Sequence, residues 1–126
     1  MKYIIISSLS LILFIGCGIA QHGALIGAYE AIEKDDCDKA YKNLSDAEKF
    51  KETTPELQAE ISYLRSICLE KEKKYDEALA VLFYIVKQFP DTEYGYRAKI
   101  RIEKIRALSP EKQKERIPSG KTETRI

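Results

Sequence analysis

The three cysteines of this 126-residue chain are the side chains with the widest chemistry: Cys17, Cys37 and Cys68. A cysteine can form a disulfide, act as a nucleophile or carry a covalent group, and its position decides among these roles. Cys37 and Cys68 are too far apart in sequence to form a Cys-x-x-Cys motif. Thiol–disulfide catalysis therefore has no local signature here.

No other group of residues forms a recognisable catalytic or cofactor site. His22 is the single histidine and lies near the N-terminus, where nothing predicts a fold that would hold it against a nucleophile. The early glycines precede no Gly-Lys-Ser/Thr and so form no phosphate loop. Five acidic residues fall in predicted inter-helix turns, where carboxylates favour helix starts: Asp35, Asp36, Asp38, Asp76 and Glu77. We therefore expect no enzyme activity, no metal site and no cofactor.

Helices must position these side chains, because the apolar spacing is helical almost throughout residues 24–108. The clearest helix start is Thr54-Pro55, a capping threonine followed by proline at the first helical position. Nine consecutive apolar residues, Ala78–Val86, would also suit a buried strand. The preceding acidic turn and the continued helical spacing favour a helix covered on two sides. We predict an all-α fold of five helices.

The predicted pairing of the second and third helices places Cys37 level with Cys68. In an antiparallel hairpin whose turn centres near residues 52 and 53, the two cysteines are equally far from the turn. A bridge would close a loop of about 32 residues and stabilise the fold by about 3 to 4 kcal/mol in the chain-entropy model. The alternative is that both are small apolar side chains buried on their helix faces.

The N-terminal segment has the pattern of an export signal. Lys2 precedes an apolar run, Ile4–Ile15, which is too short to span a bilayer comfortably. Phe14-Ile15-Gly16-Cys17 resembles the lipobox of bacterial lipoproteins, whose signal is cut just before an acylated cysteine. The resemblance implies a signal peptide over residues 1–16, a lipid anchor on Cys17 and a stem over residues 17–23. Cleavage after Ala20 without lipid and an uncleaved anchor are the alternatives.

The helices repeat in pairs. Lys34–Tyr41 aligns with Glu72–Leu79 at an offset of 38 residues, and hairpins of this size stack because neither buries its apolar face alone. Tyr63–Pro90 resembles a tetratricopeptide repeat, and Phe89–Tyr94 is similar to the inter-helix turn of BamD-like and YbgF-like periplasmic repeat proteins. The resemblance implies a tetratricopeptide-like domain over residues 24–108: a short α-solenoid of about two repeats plus a capping helix.

Charge divides the chain into an acidic body and a basic end. Residues 17–95 hold 10 Lys/Arg and 16 Asp/Glu, whereas residues 96–126 hold 10 and 4. The chain without residues 1–16 is neutral, which argues against a general nucleic-acid binder. The region 109–126 is rich in charge and poor in apolar residues, so we predict a disordered basic tail. The basic end either is a solvated surface or meets an acidic partner or anionic headgroups.

The fifth helix has two apolar stripes. One should pack on the fourth helix and comprises Tyr94, Ala98, Ile102, Ile105 and Leu108. The opposite stripe comprises Tyr96, Ile100 and Ala107 and is flanked by Arg97 and Lys104. A terminal helix of a repeat array should present a polar outer face, so we expect this second stripe to receive a partner helix or a second copy of the chain. The alternative is scattered exposed apolar residues of no consequence.

These patterns predict a membrane-tethered lipoprotein that acts as a protein-interaction scaffold or adaptor in the cell envelope. The repeat resemblance implies envelope assembly, including that of the outer membrane, and Gly18 after the acylated position is compatible with sorting to the outer membrane, facing the periplasm. Expected partners are envelope proteins and the membrane, with homo-oligomers an open alternative. A second hypothesis is an exported carrier that binds a small apolar ligand or peptide in a helical groove.

Overall fold

A computed structural model describes residues 19–50 and 53–108, and within them the chain forms five helices and no strand. The helices are α1 (19–33), α2 (Cys37–Glu48), α3 (Pro55–Lys71), α4 (Tyr75–Gln88) and α5 (Glu93–Leu108). The all-α prediction is confirmed. The apolar run Ala78–Val86 lies in α4 and is helical, as its spacing indicates.

Side-chain caps fix three of the helix starts. The Asp36 carboxylate accepts the backbone N–H of Lys39 at the start of α2, at 3.0 Å. The Thr54 hydroxyl accepts the N–H of Leu57 before Pro55 begins α3. Thr92 caps α5, because its hydroxyl accepts the Gly95 N–H at 3.0 Å. Each cap satisfies a backbone donor that would otherwise lack an intrahelical partner.

The turns within the two hairpins are built alike, at the offset of 38 residues seen in the sequence. Asp35 and Lys73 both have left-handed backbone conformations, with φ of 57° and 61°. The next residue in each turn donates its N–H back into the preceding helix, Asp36 to Ala31 and Lys74 to Leu69. The sequence repeat therefore corresponds to a repeated backbone turn, which reverses the chain in the same way in both hairpins.

The helices enclose two apolar clusters, and α3 contributes to both. The first cluster joins α1 and α2 to one side of α3, through Ile61, Leu64 and Cys68. The second joins α4 and α5 to the other side, through Ala59 and Tyr63. A helix that is apolar on two sides is suited to the middle of an array, and α3 is the element on which the pair α1–α2 and the pair α4–α5 both pack.

Cys37 and Cys68 are joined as a disulfide between α2 and α3. Their Cα atoms are 5.5 Å apart, within the usual range for a bridge. Both cysteines belong to the first apolar cluster. Further along the same pair of helices, the Arg65 guanidinium donates two hydrogen bonds of 2.6 Å to the Glu48 carboxylate. Helices α2 and α3 are thus linked by a disulfide and by an ion pair.

Three expectations differ from the structure. Residues 19–23, placed in the predicted stem, are helical and continuous with α1. Helix α4 is not covered on two sides, since Phe83 and Tyr84 are exposed. Leu108, assigned to the buried face of α5, is exposed, whereas the four earlier residues of that stripe are buried. The last two differences have one cause: helical spacing identifies a face but not how much of it a neighbouring helix covers.

Several predictions from the termini lie outside the described residues. They are the signal peptide over residues 1–16, the lipid-carrying Cys17 and the tail over residues 109–126. Within residues 19–50 and 53–108, none of the helices combines the length and the apolar character needed to cross a membrane.

Breaking the bridge between α2 and α3 should destabilise the fold. We expect reduction to lower the free energy of unfolding by about 3 kcal/mol, because the bridge restricts the unfolded chain. Urea unfolding of the full chain with and without dithiothreitol measures the loss. The Cys37→Ala/Cys68→Ala variant is the control and should not respond to the reductant. Equal stability of the wild type in both conditions would contradict a structural bridge.

Gly95 lies where the second hairpin meets α5, and a side chain there has no room. A Cβ atom at this position would overlap the Phe89 carbonyl oxygen. We therefore expect Gly95→Ala to lower the free energy of unfolding by about 1 to 3 kcal/mol. Gly23→Ala is the matched control: its Cβ would meet nothing within 4 Å, and alanine in place of an exposed helical glycine should stabilise by about 0.5 to 1 kcal/mol. Similar changes in urea midpoint for both variants would contradict this account.

Candidate binding site

The outer face of α5 presents the apolar side chains singled out by the sequence. Tyr96 is 69% exposed and Ile100 is 65% exposed, one helical turn apart. The Lys99 ammonium lies over the Tyr96 ring, 5.5 Å from its centre. We call Tyr96, Ile100 and Ala107, with the cations beside them, the α5 outer face. Its apolar side chains are too exposed to contribute much to the fold.

The opposite side of α5 holds this face in place. Tyr94, Ala98, Ile102 and Ile105 are buried in the second apolar cluster. Because an α-helix places residues of one stripe on one side, burying these four directs Tyr96 and Ile100 away from the core. The two-stripe prediction for α5 is therefore matched by the burial pattern, apart from Leu108.

The cations beside the α5 outer face differ in whether they contact other side chains of the same chain. Arg97 forms an ion pair of 2.5 Å with Glu93 and lies over the ring of Tyr94, 5.3 Å from its centre. Arg106 lies over the Phe83 ring of α4. Lys104 is exposed. Surface ion pairs of this kind contribute little to stability, so these charges are available to an incoming acidic group.

A second polar cluster joins α1, α3 and α5, and sequence reasoning missed it. The Tyr29 hydroxyl donates a hydrogen bond of 2.6 Å to the Glu60 carboxylate and lies 3.0 Å from the Tyr94 hydroxyl. The rings of Tyr94 and Tyr63 are tilted against each other, with centres 5.5 Å apart. We call Tyr29, Glu60, Tyr63 and Tyr94 the tyrosine cluster. Its members come from three helices, so no local spacing signals it.

The surroundings of the tyrosine cluster raise the pKa of two of its hydroxyl groups, those of Tyr29 and Tyr94, and so favour their protonated form. Burial raises the pKa of Tyr29 above its usual value, and the hydrogen bond to the Glu60 carboxylate acts in the same direction. Burial also raises the pKa of Tyr94, and Glu60 adds to this effect. Neutral hydroxyls beside a carboxylate form a hydrogen-bonded contact between helices. This contact ties α1, α3 and α5 together.

The exposed aromatic residues of α4 are a further surface that the sequence did not indicate. Phe83 and Tyr84 project from the helix, and the Tyr84 ring packs edge-on against Phe89 at 5.9 Å between centres. Tyr84 also lines a shallow open cleft with Ser62 and Arg65 of α3. The cleft beside Ile19 and Ile26 of α1 is likewise shallow and open to solvent.

The remaining candidate residues fall into no reactive constellation. His22 is exposed on α1, and the predicted turn acids lie at the hairpin turns or helix starts, where Asp35 pairs with Lys71. Within the part of the chain that the structure describes, no three histidine, cysteine, aspartate or glutamate side chains are grouped to hold a metal ion.

Comparisons of the chain with protein-family models, with curated proteins and with solved structures give no match. Over residues 19–50 and 53–108 the chain is an all-helical protein.

The raised pKa of Tyr29 makes stability fall at alkaline pH. The folded state keeps this proton above pH 10, where the unfolded state has lost it, so the free energy of unfolding decreases as the pH rises above about 10. We expect Tyr29→Phe to reduce this decrease, because the variant has no hydroxyl to titrate at that site. Urea unfolding measured across alkaline pH checks the slope. Tyr96→Phe, which removes one exposed tyrosine, is the matched control, and equal slopes for Tyr29→Phe and wild type would contradict this account.

Proposed function

We propose that this chain is a lipid-anchored scaffold or adaptor of the cell envelope, built from tetratricopeptide-like hairpins. The observation that carries the proposal is the α5 outer face, where two large apolar side chains at the end of a helical array are more than half exposed. A solvated terminal helix gains nothing from such residues, whereas a helix that receives a partner does. Protein binding is therefore the function that the described surfaces support best.

Two features support the repeat part of the proposal. The turns of both hairpins share a left-handed residue at an offset of 38, which is compatible with a tandem repeat of helical pairs. Ala40 and Ala78, which align at the same offset, are both fully buried. BamD-like and YbgF-like similarity in the turn after α4 favours assembly of the outer membrane as the setting.

The anchor part of the proposal depends on the sequence around Cys17. Cleavage before Cys17 and acylation would place α1 only two residues from the membrane-bound cysteine. The helical array would then stand at the membrane surface, with α5 four helices away from the tether along the chain. A scaffold benefits from this arrangement because tethering raises the effective concentration of its partners at the membrane.

Capture of partners from the membrane fraction tests the proposal. We expect the tagged full chain, cross-linked in its own host cell, to retain specific envelope proteins, and Tyr96→Ser/Ile100→Lys to lose them. The matched control is Phe83→Ser/Tyr84→Ser, which removes two exposed aromatic side chains of α4 and should retain them. Circular dichroism should show unchanged helicity for both variants. Capture that is equal in all three proteins would contradict a role for α5.

The same preparation tests the anchor. The intact mass should correspond to a chain that begins at Cys17 and carries a diacylglycerol and a fatty acyl group. Cys17→Ser should move the protein out of the membrane fraction. A chain that begins at Gln21 without lipid would contradict the anchor and leave a freely diffusing exported protein.

A further inference from the structure

Helix α1 has an exposed apolar face that the fold does not use. Ile19 is 67% exposed and Ile26 is 49% exposed, and Gly23 lies between them with open space where a Cβ would be. These three residues share one stripe of the helix, opposite the buried Leu25, Ala28 and Ile32. We call the stripe, with the exposed Glu30 and Glu33 that continue it, the α1 outer face.

The outer faces of α1 and α5 carry opposite charges. Residues 19–33 include Glu30 and Glu33 and neither lysine nor arginine. Helix α5 includes five basic residues and two acidic ones, Glu93 and Glu103. Lys99 and Lys104 are exposed at the edges of its apolar stripe. One helix therefore offers apolar residues followed by carboxylates. The other offers apolar residues flanked by two ammonium groups, with the single carboxylate of Glu103 in the same stripe.

These two faces do not meet within one copy of the chain. Ile19, Ile26, Tyr96 and Ile100 all remain exposed in the folded monomer. Helix α1 does reach α5, but through the hydroxyl groups of the tyrosine cluster, on a different side of each helix. Among residues 19–50 and 53–108, nothing covers either outer face.

Charge also decides how two copies can pair. Packing two α1 outer faces would bring the carboxylates of Glu30 and Glu33 together. Packing one α5 outer face on another would bring together two faces in which lysines outnumber the single carboxylate of Glu103. Like charges across an interface disfavour a pairing, whereas opposite charges favour it and set its register. Pairing α1 with α5 is the arrangement that satisfies both the apolar stripes and the charges.

We propose that the α5 outer face of one copy packs on the α1 outer face of a second copy. Tyr96 enters the shallow cleft that Ile19, His22, Gly23 and Ile26 line, and Lys99 and Lys104 approach Glu30 and Glu33. The contact is heterologous, so the pair of copies keeps one free α1 outer face and one free α5 outer face, and each can join a further copy. This inference rests on the proposed function and names a second copy of the chain as the partner of α5.

A charge-swap experiment tests the pairing. The first variant, Glu30→Lys/Glu33→Lys, makes the α1 outer face basic, and the second, Lys99→Glu/Lys104→Glu, makes the α5 outer face acidic. All four positions are exposed, so both variants should fold. In analytical ultracentrifugation of the detergent-purified full chain, each variant alone should self-associate at least about tenfold more weakly than wild type.

Mixing the two variants should restore association. The basic α1 of the first variant then faces the acidic α5 of the second, and the reverse contact has its natural charges. Co-purification through different tags on the two variants reports this mixed assembly. Recovery excludes misfolding as the cause of the single-variant loss, and absence of recovery would overturn the pairing.

Filling the cleft gives an independent test. Gly23→Gln places a side chain where Tyr96 should enter, and it should weaken association at least about tenfold while helicity is unchanged. Ser45→Gln is the matched control, since Ser45 is an exposed small residue on α2, outside both outer faces. Equal weakening by the two glutamine variants, or none by Gly23→Gln, would overturn the role of the cleft.

The two proposals fail in distinguishable ways. A monomeric wild-type chain in the ultracentrifuge would overturn the α1–α5 pairing. If Tyr96→Ser/Ile100→Lys still abolished capture of another envelope protein, the scaffold function would stand without it. A photo-reactive residue at position 100 should cross-link to α1 of a second copy, and cross-linking to lipid or only to another protein would also overturn the inference.

Discussion

Burial of α3 on two sides is the constraint on which the rest of the structure depends. Ile61, Leu64 and Cys68 face α1 and α2, and Ala59 and Tyr63 face α4 and α5. Both pairs of helices therefore take their position from this helix. The disulfide to α2 and the packing of α4 and α5 then place the outer faces at the two ends of the array.

The positions of the helices could be predicted because their signals are local. A capping threonine followed by proline starts α3, and the repeated turns separate the helices at a constant offset. The level placement of Cys37 and Cys68 also follows from hairpin geometry alone. Exposure of Phe83 and Tyr84 could not be predicted, because it depends on how far α3 and α5 extend over α4.

The candidate binding surfaces also differ in whether the sequence could predict them. The α5 outer face could be predicted from the sequence of one helix. Tyr96 and Ile100 lie opposite the stripe of α5 that packs on the core, and that stripe is apolar in sequence. The tyrosine cluster could not be predicted, because Tyr29 and Tyr94 are 65 residues apart in sequence and meet only in the folded structure. The α1 outer face could not be predicted for another reason. The sequence predicts a stem over residues 17–23, and Ile19 aligns with Ile26 only because residues 19–23 are helical.

The contact between Tyr29 and Tyr94 also bears on how the chain folds. In a linear array each unit touches only its neighbours, so the ends can unfold separately and stability is a sum of local terms. Here a hydroxyl of the first helix meets a hydroxyl of the last one across α3. Fraying of either end therefore breaks a contact with the other, so the two ends are coupled by the net free energy of one hydrogen bond, roughly 1 kcal/mol. This coupling opposes the partly open forms in which only α1 or only α5 has detached, and such locally open forms are the ones that proteases attack.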